Sequence, residues 1–212
     1  MLTGPPSGLR ASVAVHNAGD RRLSVRGGSV TSEQVSAQRA RLGGTVAAGD
    51  TRDVPVSVQV AAVTPPGSYS AALEVGGVSR PATLRVEPDL DVRVSPRRLL
   101  ATRGEQRVEL RVTNAGNVAV TLAQLVRGSA RSDGVISDLD VELHLDTSVT
   151  VEPGLAVDAT GRLVVPDTLD PTRRHEARLP VGTADLVVVV LPTDDRFDTA
   201  RPATPLSTPL ST

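Results

Sequence analysis

The sequence contains no cysteine and no tryptophan, and it carries one tyrosine, one phenylalanine and one methionine. Disulfides, thiolate metal centres and thiol nucleophiles are therefore excluded. With aromatic residues at 1%, sugar-stacking platforms and base-stacking surfaces have almost nothing to be built from. Lysine is absent too, so all 23 basic residues are arginine. Together with the abundance of Ala, Gly, Val and Pro, that bias suggests a GC-rich bacterial or phage genome and points to no particular activity. No run approaches the roughly 20 apolar residues of a membrane-spanning helix. The opening Met1-Leu2-Thr3-Gly4-Pro5 lacks the charged-then-apolar profile of a secretion signal. The expectation is cytoplasmic synthesis, with later incorporation into a particle left open.

What is present is a folded composition, 39% hydrophobic and 22% charged over 212 residues, enough for one large domain or two of about 100 residues each. An internal repeat decides between them. Residues 11 to 25 (ASVAVHNAGDRRLSV) recur 97 positions later as residues 108 to 122 (VELRVTNAGNVAVTL). Apolar residues alternate up to the Asn in both copies, as Ala11, Val13 and Val15 and as Val108, Leu110 and Val112, the period of a half-buried strand. Asn17-Ala18-Gly19-Asp20 and Asn114-Ala115-Gly116-Asn117 then form turns between strands.

Later segments match with shifted offsets. Val54, Val56, Val58 and Val60 are paired with His175, Ala177, Leu179 and Val181. Gly67-Ser68-Tyr69, leading into Ala71, Leu73 and Val75, is paired with Gly182-Thr183-Ala184, leading into Leu186, Val188 and Val190. Arg-Pro-Ala-Thr follows each, at 80 to 83 and 201 to 204. Short alternating strands separated by Gly, Pro and Asn predict an all-β chain of two tandem antiparallel β-sandwiches. Their expected bounds are 1–88 and 89–212, the second ending in a Pro/Ser/Thr-rich tail from about 197 to 212. Ser32 to Leu42 has too few apolar residues on one face for a stable helix and is read as an edge strand or an irregular crossover.

The pattern VxVxNAGxxxLxV followed by GxYxAxLxV resembles the bacterial immunoglobulin-like modules of the CARDB and Hydin-like type, over most of both halves. The resemblance implies a binding, spacer or structural role. It also implies that Tyr69, at the opening of a penultimate strand, ties a corner by a hydrogen bond, with Ala184 in its place in the second copy.

No catalytic constellation stands out. His16, His144 and His175 are far apart in sequence, and neither a Gly-x-Ser-x-Gly elbow nor a His-Glu-x-x-His pair occurs. In Asp138-Leu139-Asp140-Val141-Glu142-Leu143-His144-Leu145-Asp146 strict alternation gathers the charges on one strand face. Extended spacing keeps those carboxylates from converging as a calcium loop requires, so they are expected to face solvent or a row of Arg. The Arg pairs at 21–22, 97–98 and 173–174 are interleaved with acids, and the net charge is −1. Nucleic acid is a poor match.

The end of the chain carries the clearest expectation of a partner. Leu186 to Leu191 is apolar on both faces, so Val187, Val189 and Leu191 need a cover opposite Val188 and Val190, either the chain's own tail or a neighbouring loop, or another subunit. Beyond Arg201, prolines interrupt the segment that holds Leu206 and Leu210. The expected partner-binding residues are thus Val187, Val189, Leu191, Arg201, Leu206 and Leu210, at an unpaired terminal strand edge open to another protein or to a second copy. No cofactor, metal, catalytic residue, membrane insertion or small-molecule ligand is implied. The role expected is a non-catalytic structural or interaction component of a larger assembly, such as a virion, a tail-like injection system or a cell envelope. The alternatives are an extracellular adhesion or carbohydrate-associated accessory module and, third, an enzyme with a dispersed site.

Overall fold

A computed structural model describes residues 1–36 and 40–193. Among these every regular element is a strand. The first half holds β1 (Leu2–Gly4), β2 (Leu9–His16), β3 (Leu23–Thr31), β4 (Ala40–Val46), β5 (Thr51–Val58), β6 (Gly67–Val75) and β7 (Val78–Val86). Their spatial order is β1-β2-β5-β4-β3-β6-β7. Short β1 lies antiparallel on β2 through Thr3 and Arg10 and parallel on β7 from Leu2 and Leu84 to Gly4 and Val86, which closes the sheet into a barrel. Both the closure and the parallel pairing depart from a purely antiparallel sandwich. They arise because one three-residue strand bridges two edges.

The second half repeats that order with its first strand split. It holds β8 (Val92–Ser95), β9 (Arg98–Ala101), β10 (Gly104–Asn114), β11 (Val120–Leu122), β12 (Leu125–Ser132), β13 (Val135–Leu145), β14 (Val149–Val151), β15 (Ala156–Val165), β16 (His175–Val181) and β17 (Ala184–Val190). The large sheet runs β8-β10-β15-β13-β12-β16-β17-β9. Here β8 lies on β10, whereas β9 lies parallel on β17. The small β11-β14 ladder pairs Val120 with Val151, as Leu23 of β3 pairs with Val46 of β4 in the first half.

Pairing corrects the expected correspondence of the later strands. β5 matches β15, not β16, because β2 pairs with β5 as β10 pairs with β15. The β6–β7 hairpin, with Val75 opposite Val78, matches the β16–β17 hairpin, with Val181 opposite Ala184. Tyr69 therefore corresponds to His175, and Arg80 to Leu186. Alternation looks the same in any half-buried strand, so it cannot tell neighbouring strands apart. Among the described residues the last strand of the second half ends at Val190, and residues 201 to 204, offered as the equivalent of Arg80 to Thr83, lie outside the described residues.

Each half encloses its own apolar cluster. One runs from Leu2 to Val86 and takes in Val35 of the Ser32–Leu42 stretch; the other runs from Val92 to Val190. The two halves share one polar device at the same place. The carboxamide nitrogen of buried Asn17 donates to the carbonyls of Arg21, Val46 and Ala47 at 2.7, 3.1 and 3.0 Å, and its Oδ1 accepts from Gly19 N–H. Asn114, 0% exposed, donates to the carbonyls of Val118 and Val151 at 2.8 and 2.9 Å and accepts from Gly116 N–H. The backbone of each Asn is bound as well, Asn17 by Gly49 and Asp50 and Asn114 by Gly154 and Leu155. One side chain thus joins the turn after β2 or β10 to the end of β4 or β14.

Truncating a buried donor leaves its carbonyl partners unsatisfied, at about 1–3 kcal/mol each. Asn114→Ala should cost about 2–4 kcal/mol in urea denaturation. Asn17→Ala should cost less, because Asn17 is 6% exposed and its bond from Gly19 N–H is part-buried, whereas Asn114 is 0% exposed and its bond from Gly116 N–H is buried. A loss at Asn114 within the ±0.5 kcal/mol or so of an ordinary surface substitution would contradict the clamp.

Candidate functional site

The expected interface residues separate in the structure. β17 has no free edge, because β16 lies on one side and β9 on the other, with Val187 opposite Arg98 and Val190 opposite Ala101. Val187 N–H donates to Arg97 C=O at 2.9 Å and Leu191 N–H to Ala101 C=O at 3.3 Å. The unpaired terminal edge is thus corrected: the chain's own Arg98–Ala101 completes it, a parallel contact across many intervening strands that local pattern does not reveal. Within the stripe, Val187 is half-buried, Val189 is 2% exposed and Leu191 is 47% exposed. Arg201, Leu206 and Leu210 lie outside the described residues.

The acidic ladder on β13 faces its own neighbours. Asp140 accepts from Ser129 Oγ at 2.9 Å, Glu142 meets Arg127 Nε and His144 Nε2, each at 2.8 Å, and Asp146 accepts from Thr160 Oγ1 at 2.8 Å. Val141, Leu143 and Leu145 are buried on the opposite face, as the alternation predicts. Among the described residues no group of three or more His, Asp and Glu converges as a metal site. Of the Arg pairs, Arg98 and Arg174 share Glu176, and Arg173 reaches Asp170 and Asp133. His16 is exposed on β2, where Nδ1 meets Thr51 Oγ1.

The corner expected of Tyr69 is present: its hydroxyl donates to Pro65 C=O at 2.7 Å. The second half holds its corner with His175, not Ala184. There Nε2–H donates to Asp170 C=O at 3.0 Å, which leaves the buried Nδ1 without a partner. Thr172 donates from its hydroxyl and its backbone N–H to Asp170 Oδ1, and these bonds hold that carboxyl below its ordinary range.

Sequence reasoning missed the junction between the halves. Asn117 occupies the repeat position of Asp20, which is exposed, yet Asn117 is 2% exposed. Its Nδ2 donates to Thr64 C=O at 2.9 Å and Glu87 C=O at 3.0 Å, and its Oδ1 accepts from Asp89 N–H at 2.7 Å. Backbone bonds from Asn117 N–H to Asp89 C=O and from Ala115 N–H to Asp91 C=O lay the turn along the linker. A Cβ on Gly116 would collide with Asp89 C=O, so glycine permits this approach, whereas at Gly19 only the Asn17 side chain is near. The Asn-for-Asp difference between two otherwise identical turns was the available signal.

A second feature lies in the first half. Between β2 and β7, beyond the reach of β1, an open groove of about 630 Å³ is walled by Ala11, Val13, Val15, Val75 and Ala82, with His16 and Arg80 at its polar margin.

No protein-family model and no curated protein matches the sequence. Among solved structures, the chain is similar to the CupB2 chaperone of Pseudomonas aeruginosa at 10% identity, over 89% of this chain and 95% of that one, with a TM-score of 0.26. It is similar to domains 4 and 5 of the S-layer protein SbsC at 14% identity, over 80% and 98%, with a TM-score of 0.30. A titin fragment, A168169, aligns at 11% identity over 91% and 94%, with a TM-score of 0.26. At these scores the likenesses carry no argument, and the fold rests on the strand pairing.

Two outcomes follow from these contacts. Asn117→Asp restores the repeat's residue but removes both donated bonds, and it should lower the coupling of the halves by about 1–3 kcal/mol. Fluorescence of Tyr69, the sole tyrosine, follows the first half alone, whereas far-ultraviolet circular dichroism follows both. The two melts should coincide in the natural chain and separate in the variant; coincidence in both would contradict the latch. Calorimetric titration of the acidic ladder with calcium should show nothing tighter than about millimolar, and a micromolar signal lost in Asp140→Asn would overturn its assignment to ion pairing.

Proposed function

We propose that the chain is two immunoglobulin-like β-sandwiches in tandem, residues 1–88 and 89–212, that act without catalysis as a structural and protein-binding component of a larger assembly. Strand order supports the fold. In each half β1-β2-β5-β4 and β3-β6-β7, or their counterparts, follow the A-B-E-D and C-F-G order of immunoglobulin sandwiches. The resemblance to CARDB and Hydin-like modules rests on the repeated Asn-Ala-Gly motif.

The observation that carries the function is the Asn117 latch. Linkers between independently working domains are commonly polar, exposed and free of tertiary contacts. Here residues 87 to 91 are clasped by a buried carboxamide and by backbone bonds from the second half, with Thr64 of the first half drawn into the same cluster. Such a joint fixes two modules as one spacing unit and presents their surfaces in a constant relation. His175 is spent on a corner, and Glu142 and Asp146 on pairs with Arg127 and Thr160 of neighbouring strands.

Nitrogen-15 relaxation tests this reading. Both halves of the intact chain should tumble with one rotational correlation time, while residues 1–88 expressed alone should still give a dispersed amide spectrum and a cooperative melt. Independent tumbling of the halves in the intact chain would remove the spacer role, and failure of residues 1–88 to fold alone would remove the two-module architecture.

A further inference from the structure

We propose that the groove between β2 and β7 receives an extended segment of a second polypeptide, which adds a strand antiparallel to residues 12–16 of β2 and inserts small apolar side chains at alternate positions. The proposal rests on the protein-binding reading above and names its site.

The two halves differ most where this groove lies. In the second half β8 pairs with β10 over Arg111–Asn114, and β9 pairs with β17 over Val187–Val190. The matching stretches of the first half are residues 14 to 17, at the end of β2, and 81 to 84 of β7. There β1 reaches only Arg10 on one side and Leu84–Val86 on the other, and no strand among the described residues lies between the remaining lengths.

Burial records the consequence. Val108, Leu110 and Val112 are 8%, 2% and 1% exposed. Their first-half counterparts Ala11, Val13 and Val15 point to the core but are only half-buried. Ala82 is half-buried where its counterpart Val188 is fully buried. The first half also carries the smaller residue at three of these four places, Ala for Val, Val for Leu and Ala for Val, so its walls leave room that the second half fills for itself. Half-buried apolar walls beside an unpaired strand edge offer both terms of strand addition, apolar burial at about 25 cal/mol per Å² and a row of backbone donors and acceptors. A compact small molecule would satisfy only the first.

The molecule also shows what such an occupant looks like. In the second half the matching place on β10 holds Val92-Arg93-Val94-Ser95, with Val92 and Val94 buried at 5% and 3% exposure and Arg93 facing out. Charge refines that pattern. Arg80 stands where Leu186 is buried, His16 lies nearby, and the groove is lined by no carboxylate. The fitting partner is thus an extended segment of alternating valine-sized residues, free of proline, with an acidic group near Arg80.

The peptide of residues 89–95, Asp-Leu-Asp-Val-Arg-Val-Ser, serves as the probe. Titrated into the intact chain, it should shift the amides of residues 11–16 and 78–83 and slow their hydrogen exchange, while a scrambled peptide without alternation does neither. Ala82→Val, which installs the second half's residue and should keep the fold, should weaken the peptide by about tenfold or more by overfilling the groove. The proposal is overturned if the peptide leaves those amides unperturbed. It is also overturned if they shift on dilution of the chain alone, which assigns the groove to a second copy, or if the peptide acts only after residues 194–212 are deleted, which assigns it to the chain's own end. In each case the two-module reading stands or falls separately, on the folding of residues 1–88 alone.

Discussion

A single buried carboxamide organises each half of this protein. A strand that enters a turn at the end of a sheet leaves backbone carbonyls facing inward, and a buried carbonyl without a donor costs more than an ordinary hydrogen bond returns. Asn17 and Asn114 meet that demand from a fixed position. Each satisfies carbonyls of its own turn and of a strand end 29 or 37 residues away, while its backbone is held by the loop before β5 or β15. Aspartate would lack the donors and serine the reach. With the turn pinned, the strands around it have one register available, and the alternating Val and Leu residues follow onto the core face.

From that shared plan the halves diverge at their first strand and at the turn itself. Splitting the strand lets β8 cover β10 while β9 covers β17, and the second core closes. The first half spans both edges with the three residues of β1, and among the described residues a groove remains between β2 and β7. At the turn, exchanging Asp for Asn at position 117 converts a solvated loop into the joint between the halves. The second half therefore covers both of these edges and clasps the linker, while in the first half no strand among the described residues covers the rest of the β2 and β7 edges.

The sequence made the all-β class legible, and the Asn-Ala-Gly repeat marked both clamps, since alternation and turn chemistry are local. The corner at Tyr69 was legible through the family resemblance. Strand correspondence was not, because β5, β6, β15 and β16 alternate alike and only pairing distinguishes them; the equivalence of Tyr69 with His175 was missed for that reason. Val187 and Val189 were recognised as needing cover, but the parallel partner Arg98–Ala101 lies some 89 residues earlier in the chain. The groove could have been suspected from Ala11 and Val13 standing where the repeat has Val108 and Leu110. Size differences at matched inward positions are informative once a repeat is known.

The central claim, that the buried Asn carboxamide holds each half together, is tested most directly by hydrogen exchange of the Asn114 side-chain amide protons, followed by NMR in the unmodified chain. The account predicts that they exchange only with global unfolding of the second half, as slowly as the core amides of β10 and β15. Exchange at the rate of a solvated asparagine, while those core amides remain protected, would contradict it.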